Sequence, residues 1–100
     1  MIMRVWHGYT SRENADAYED LLRNEILPGI HRINGYCGAY LLRKPRDSEV
    51  EFITLTTWDS YDAIAEFAGG DGHAVVPPKA QRLLSRYDAT SEHYDAAWVK

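Results

Sequence analysis

Residues 50–58, VEFITLTTW, constrain the fold more than any other stretch of this chain. β-Branched and aromatic residues dominate, and strand alternation places Phe52, Thr54, Thr56 and Trp58 on one face and Ile53, Leu55 and Thr57 on the other. Apolar side chains on both faces call for a strand covered on both sides. A second β-rich run, residues 36–43, precedes it across the polar loop KPRDSE, so the two predict an antiparallel hairpin.

The elements around the hairpin follow from periodicity and caps. Residues 2–9, IMRVWHGY, predict a first strand. Thr10 and Glu13 stand in the capping-box relation and predict a helix from about Ser11. Its apolar face is Tyr18, Leu21, Leu22, Ile26 and Ile30, and Pro28 should kink or end it near Leu27. Asn34, Gly35 and Tyr36 turn the chain into the hairpin. Asp59 or Ser60 caps a short second helix bearing Ile64, Phe67 and Ala68, which Gly69 and Gly70 stop. Pro77 and Pro78 open a further helix with Ala80, Leu83, Leu84 and Tyr87 at helical spacing, and residues 89–99 predict a final strand.

The order is the split βαβ pattern: an α+β, ferredoxin-like antiparallel sheet with helices on one face, in one domain over residues 1–100. The opposite face carries Ile53 and Leu55. A second copy packed face to face would cover them, which predicts a twofold homodimer.

Composition narrows the function classes. A net charge of -4 with no interleaving of basic and aromatic residues argues against nucleic acid as a partner. There is no run of 18 apolar residues and no charged leader, so neither membrane insertion nor secretion is expected. Cys37 is the single cysteine, which rules out an intramolecular disulfide framework and fits a reducing cytoplasm. GGDGH, residues 69–73, follows a helix and so lacks the strand-to-helix setting of a phosphate loop.

The segments TWDSYDAIAEFAG, EVEFIT, LLSRYDATSEHYD and RVWHGYT together resemble the antibiotic biosynthesis monooxygenase family of dimeric α/β barrels. The resemblance implies a homodimer and a pocket between sheet and helices for a small apolar or aromatic ligand. It also implies one of several activities, including cofactor-free oxygenation of hydroquinones and haem degradation. Where the oxygenases carry an Asn and a Tyr beside the strand Trp, this chain has Thr54 and Ile64 beside Trp58. Where the haem-degrading branch carries an Asn, a Trp and a His ligand, it has His7, Phe67 and Pro77, so haem degradation is disfavoured. The expectation is therefore a monooxygenase that needs neither cofactor nor metal, acting on an electron-rich aromatic or quinol. A non-catalytic binding dimer of the same fold is the alternative.

Thr54, Trp58, Tyr61, Ile64 and Phe67 are the expected pocket residues, with Trp58 also able to serve as core. Histidine is the natural base near neutral pH, and His7 and His93 are the candidates because the first and last strands of this topology are antiparallel neighbours. The two should lie close together, roughly 20 Å from Trp58 at about 3.3 Å per strand residue. Trp6, on the alternate face from His7, is expected at the interface, and Tyr87 in the core.

Overall fold

A computed structural model describes residues 1–70 and 72–100; Asp71, within GGDGH, lies outside the described residues. The elements are β1 (Ile2–Ser11), α1 (Ala15–Leu21), a π-helical stretch (Leu22–Ile26), α2 (Leu27–Ile30), β2 (Tyr36–Pro45), β3 (Glu49–Trp58), α3 (Tyr61–Ala68), α4 (Pro78–Leu83), β4 (Leu84–Tyr87) and β5 (Glu92–Asp95). The sheet runs β2-β3-β1-β4, entirely antiparallel, with β5 also on β1. This is the expected ferredoxin-like α+β arrangement.

Register fixes the two faces. β1 pairs with β3 along its whole length, from Ile2 opposite Trp58 to Ser11 opposite Glu49. Even-numbered residues of both strands thus share a face, and the helices cover it. Phe52 and Val50 join Ala15, Tyr18, Leu22 and Ala80 in one buried cluster, while Ile2 and Trp58 join Ile30, Ala63 and Ile64 in another. Phe52 and Trp58 are fully buried, each contributing about 1.5 to 3 kcal/mol or more by leaving water. The odd-numbered face leaves large apolar side chains exposed. There Val5, Leu55 and Tyr40 stand side by side, next to Ile53 and Leu42, and Tyr40 and Leu42 remain 61% and 47% exposed.

Several local expectations are corrected. The capping box does not form: β1 continues to Ser11 in pairing with Glu49, Thr10 is a buried strand residue, and α1 starts only at Ala15. The Ser11 hydroxyl accepts from the Asn14 N–H instead. Of the two outcomes expected at Pro28, the helix is interrupted just before it and does not end. The chain widens into a π-turn just before it, the Leu27 N–H reaching the carbonyl of Leu22, and helical structure resumes to Ile30. A wider turn relieves the clash between a proline ring and the carbonyl four residues back. Ser60, not Asp59, caps α3 by accepting from the Ala63 N–H.

The end of the chain departs most. Leu84 and Tyr87 lie on β4 and not on a helix, and the long final strand is replaced by two short ones on the same edge of β1. β4 takes Gly8–Thr10 and β5 takes Ile2–Val5. Between them the segment around residue 73 inserts: His73 bridges Thr90, the Ala74 N–H donates to the Ala89 carbonyl, and the Ser91 N–H to that of Gly72. The His73 carbonyl of that segment accepts from Arg4 Nη2.

Candidate functional site

A cavity lies between the even-numbered sheet face and the helices. Its floor is Arg4 and Trp6 from β1, Thr54 and Thr56 from β3, and Ser91 at the sheet edge. Leu22, Ile26, Leu27 and Ile30 form one wall, so the π-turn that accommodates Pro28 also aligns the side chains facing the sheet. Phe67 and residues 75–77 form the other wall. The cavity proper measures about 60 Å³, with about 550 Å³ of empty space when counted out into its mouth. The inner part has room for a few water molecules, and only the mouth is large enough for a ring system. Phe67, Ile26, Ile30, Val75 and Pro77 also line an adjoining, more open hollow of about 410 Å³.

Arg4 dominates the electrostatics. It is 5% exposed. Its Nη1 donates to Nε2 of His93 at 2.9 Å and its Nη2 to the backbone carbonyl of His73 at 2.9 Å. Its guanidinium carbon lies 5.8 Å from the Phe67 ring centre, within cation–π range. Among the described residues it forms no ion pair with a carboxylate, and burial alone pulls its pKa below the ordinary arginine value. A guanidinium has no acceptor, so the bond to His93 fixes that ring with its lone pair on Nε2 and its proton on Nδ1. Burial, and then the charge of Arg4, hold the His93 pKa below its ordinary value.

The hydroxyls of the floor differ in their partners. Thr56 Oγ1 accepts from the Trp58 indole N–H at 2.8 Å. Thr54 Oγ1 is buried with no hydrogen-bond partner. Tyr18, a wall residue, has its phenol pKa raised by burial and stays neutral.

The expected pocket residues fall in three places. Thr54 and Phe67 line the cavity. Trp58 and Ile64 stand behind it in the core, with Trp58 stacked on Phe67 at 5.5 Å between ring centres and edge-on to Tyr36. Tyr61 is half exposed on the first turn of α3, its ring 6.1 Å from that of His93.

The histidine pair is not brought together. His93 lies opposite Arg4, on the cavity face; His7 is on the other face, with Nδ1 3.4 Å from Asp88 Oδ2. Nor is His93 remote from Trp58. Because β4 occupies the far half of β1, β5 is held beside the near half, and the contacts run from His93 through Arg4 and Phe67 to Trp58. Trp6 likewise moves from the expected interface to the cavity floor, its indole donating to the Asp88 carbonyl at 2.7 Å. Tyr87 lies beside it, 40% exposed and outside the core.

Arg4 was not singled out by sequence reasoning. An arginine in an apolar strand reads as an exposed residue; its even position, shared with Ile2 and Trp6, was the signal that placed it on the covered face. Among the described residues, no group of three or more His, Cys, Asp or Glu is placed to hold a metal, and no helix is long and apolar enough to cross a membrane.

Comparison with known proteins agrees with this geometry. The family model for antibiotic biosynthesis monooxygenases matches residues 1–76. The chain belongs to that family. Solved family structures share the fold at low identity. A variant of SnoaB, a cofactor-independent oxygenase from Streptomyces nogalater, is 20% identical with a TM-score of 0.61, over 98% of this chain and 95% of its own. The ActVA-Orf6 monooxygenase of Streptomyces coelicolor, in complex with nanaomycin D, is 14% identical with a TM-score of 0.63, covering 99% and 91%. The haem degrader MhuD of Mycobacterium tuberculosis, with two haems in its active site, is 16% identical with a TM-score of 0.65, covering 100% and 99%. No curated protein matches the chain in sequence.

Proposed function

We propose that the chain is a cofactor-independent monooxygenase of an electron-rich aromatic or quinol, working as a homodimer in a reducing cytoplasm. The observation that carries this reading is the cavity itself: apolar walls around a floor that holds one buried cation and, at Thr54, one unsatisfied hydroxyl. Such a site suits a molecule that supplies its own reactivity. An ionised hydroxyarene gives one electron to dioxygen, and the radical pair joins at a ring carbon bearing hydrogen. The peroxide anion takes up a proton from water, equal to the one lost when the hydroxyarene ionised, and the resulting hydroperoxide loses water to leave a carbonyl. One oxygen atom stays in the product and the other leaves as water. Arg4 stabilises the arene anion, and Phe67 and the helical wall exclude bulk water.

Of the two histidines, His93 is the one we connect with the site. Its lone pair already accepts from Arg4, so its role is to orient the guanidinium. Sedimentation should find a dimer, because the Tyr40, Leu42, Ile53 and Leu55 face is the surface such assembly covers. We further propose that haem is not the substrate. No histidine, cysteine or methionine lines the cavity, and Pro77 occupies the position of the expected ligand.

One observation favours the alternative, a dimer that binds without catalysis: among the described residues neither a carboxylate nor a histidine lines the cavity to act as a base. Oxygen uptake separates the two. Metal-free protein given 1,8,9-trihydroxyanthracene should consume oxygen above the buffer rate and place one atom of labelled dioxygen in the product. Saturable binding with uptake at the buffer rate selects the alternative for that substrate class.

A further inference from the structure

We infer that the cavity selects an aromatic ligand bearing an anionic oxygen, a carboxylate or an ionised phenol, which docks on the Arg4 guanidinium. This deepens the proposed function and rests on its cavity reading. A guanidinium stays protonated in proteins, and burying a charge is unfavourable unless an opposite charge or a full set of hydrogen bonds compensates. Arg4 is nearly sealed from solvent, yet its two polar partners are the neutral ring of His93 and one peptide carbonyl. Neither carries negative charge. Nε and the second hydrogens of Nη1 and Nη2 have no partner among the described residues.

The surroundings make this a site and not only a tie between strands. Arg4 lies on the cavity floor, and the Phe67 ring stands within cation–π range of it. His93 and the carbonyl of residue 73 each fix one terminal nitrogen, which sets the plane of the fork before a ligand arrives. A planar, preorganised fork matches a carboxylate or a phenolate. Thr54 lines the same floor with its unsatisfied hydroxyl, opposite Trp6 in the register and one alternation from Thr56, which faces Arg4. The walls beyond carry no cation, so the rest of the ligand is apolar.

The test compares two ligands of one shape and different charge. Isothermal titration of the intact protein at pH 7 with 2-naphthoate and with 2-naphthamide should show the naphthoate binding at least tenfold tighter. Arg4→Gln should bring the naphthoate down to the affinity of the amide and leave the amide within about twofold. Arg4→Lys should keep part of the preference, and it decides the matter together with the wild-type pair if Arg4→Gln does not fold. Titration of 2-naphthol across its own ionisation distinguishes the source of the oxygen. Tightening to the naphthoate level supports an ionised phenol, and a flat weak affinity supports a carboxylate. Equal wild-type affinity for naphthoate and amide, or a preference that survives Arg4→Gln, overturns the anion dock while leaving the cavity reading intact. Binding of none of these compounds overturns both.

Discussion

Thr54→Val should make the protein more stable and its cavity a poorer binder. Thr54 Oγ1 is buried and lacks any partner. A buried hydroxyl left unsatisfied costs about 1 to 3 kcal/mol, and valine keeps the shape while removing the group. At about 1 kcal/mol of gain, the melting temperature of a domain this size should rise roughly 4 to 8 °C. Thr56→Val is the matched control two residues along the same strand. Its hydroxyl accepts from the Trp58 indole at 2.8 Å, so the same change leaves a buried N–H unpaired and should lower stability by about 1 to 3 kcal/mol. Urea unfolding with unchanged slope, read alongside calorimetry, measures both variants. Titration with 2-naphthoate should show weaker binding to Thr54→Val despite its higher stability, the sign expected when a strained polar group is kept for a ligand. A Thr54→Val protein destabilised by more than about 1 kcal/mol would refute the reasoning, as would an unchanged Thr56→Val.

Three further outcomes follow. Gly35→Ala should lose on the order of 2 to 4 kcal/mol, because Gly35 sits at φ +91° and an added Cβ lies 2.6 Å from that of Ala63 and closer still to the Asp59 carboxylate; denaturant midpoints measure the loss. The lowered pKa of half-buried His93 makes stability pH-dependent. Its folded pKa lies below the unfolded value, so the unfolded state binds more protons as pH falls from about 6.5, and stability declines through that window; His93→Gln should flatten that part of a stability-against-pH curve. Leu55→Asp, on the odd-numbered face beside Tyr40 and Val5, should shift sedimentation from dimer to monomer while keeping the protomer folded.

The central strands were legible because their signals are local and agree with one another. Alternation in VEFITLTTW, the Gly35 turn and the Ser60 cap each point the same way as the tertiary structure. Where the reading failed, a local pattern met a stronger non-local partner. Thr10 and Glu13 match a capping box, but ladder pairing with β3 holds the chain extended to Ser11. Leu84 and Tyr87 match a helical stripe, yet the free edge of β1 takes them as a strand. The site was legible only in part. Thr54 and Phe67 were found from their position around Trp58, but the relation of His7 to His93 is a matter of register. A residue opposite Arg4 and a residue three positions beyond Arg4 fall on opposite faces, and nothing in the sequence sets that offset. The break between β4 and β5, which brings His93 against Arg4, falls where His73 bridges Thr90.

The claim beneath the whole account is that ligands enter between the covered sheet face and the helices. Methyl-resolved NMR tests it directly, since each surface carries its own reporters: Thr54, Leu22 and Val76 at the cavity, and Leu42, Ile53 and Leu55 on the opposite face. Titration with 2-naphthoate should shift the cavity methyls in a saturable manner and leave the other three in place. Shifts confined to Leu42, Ile53 and Leu55 would contradict it.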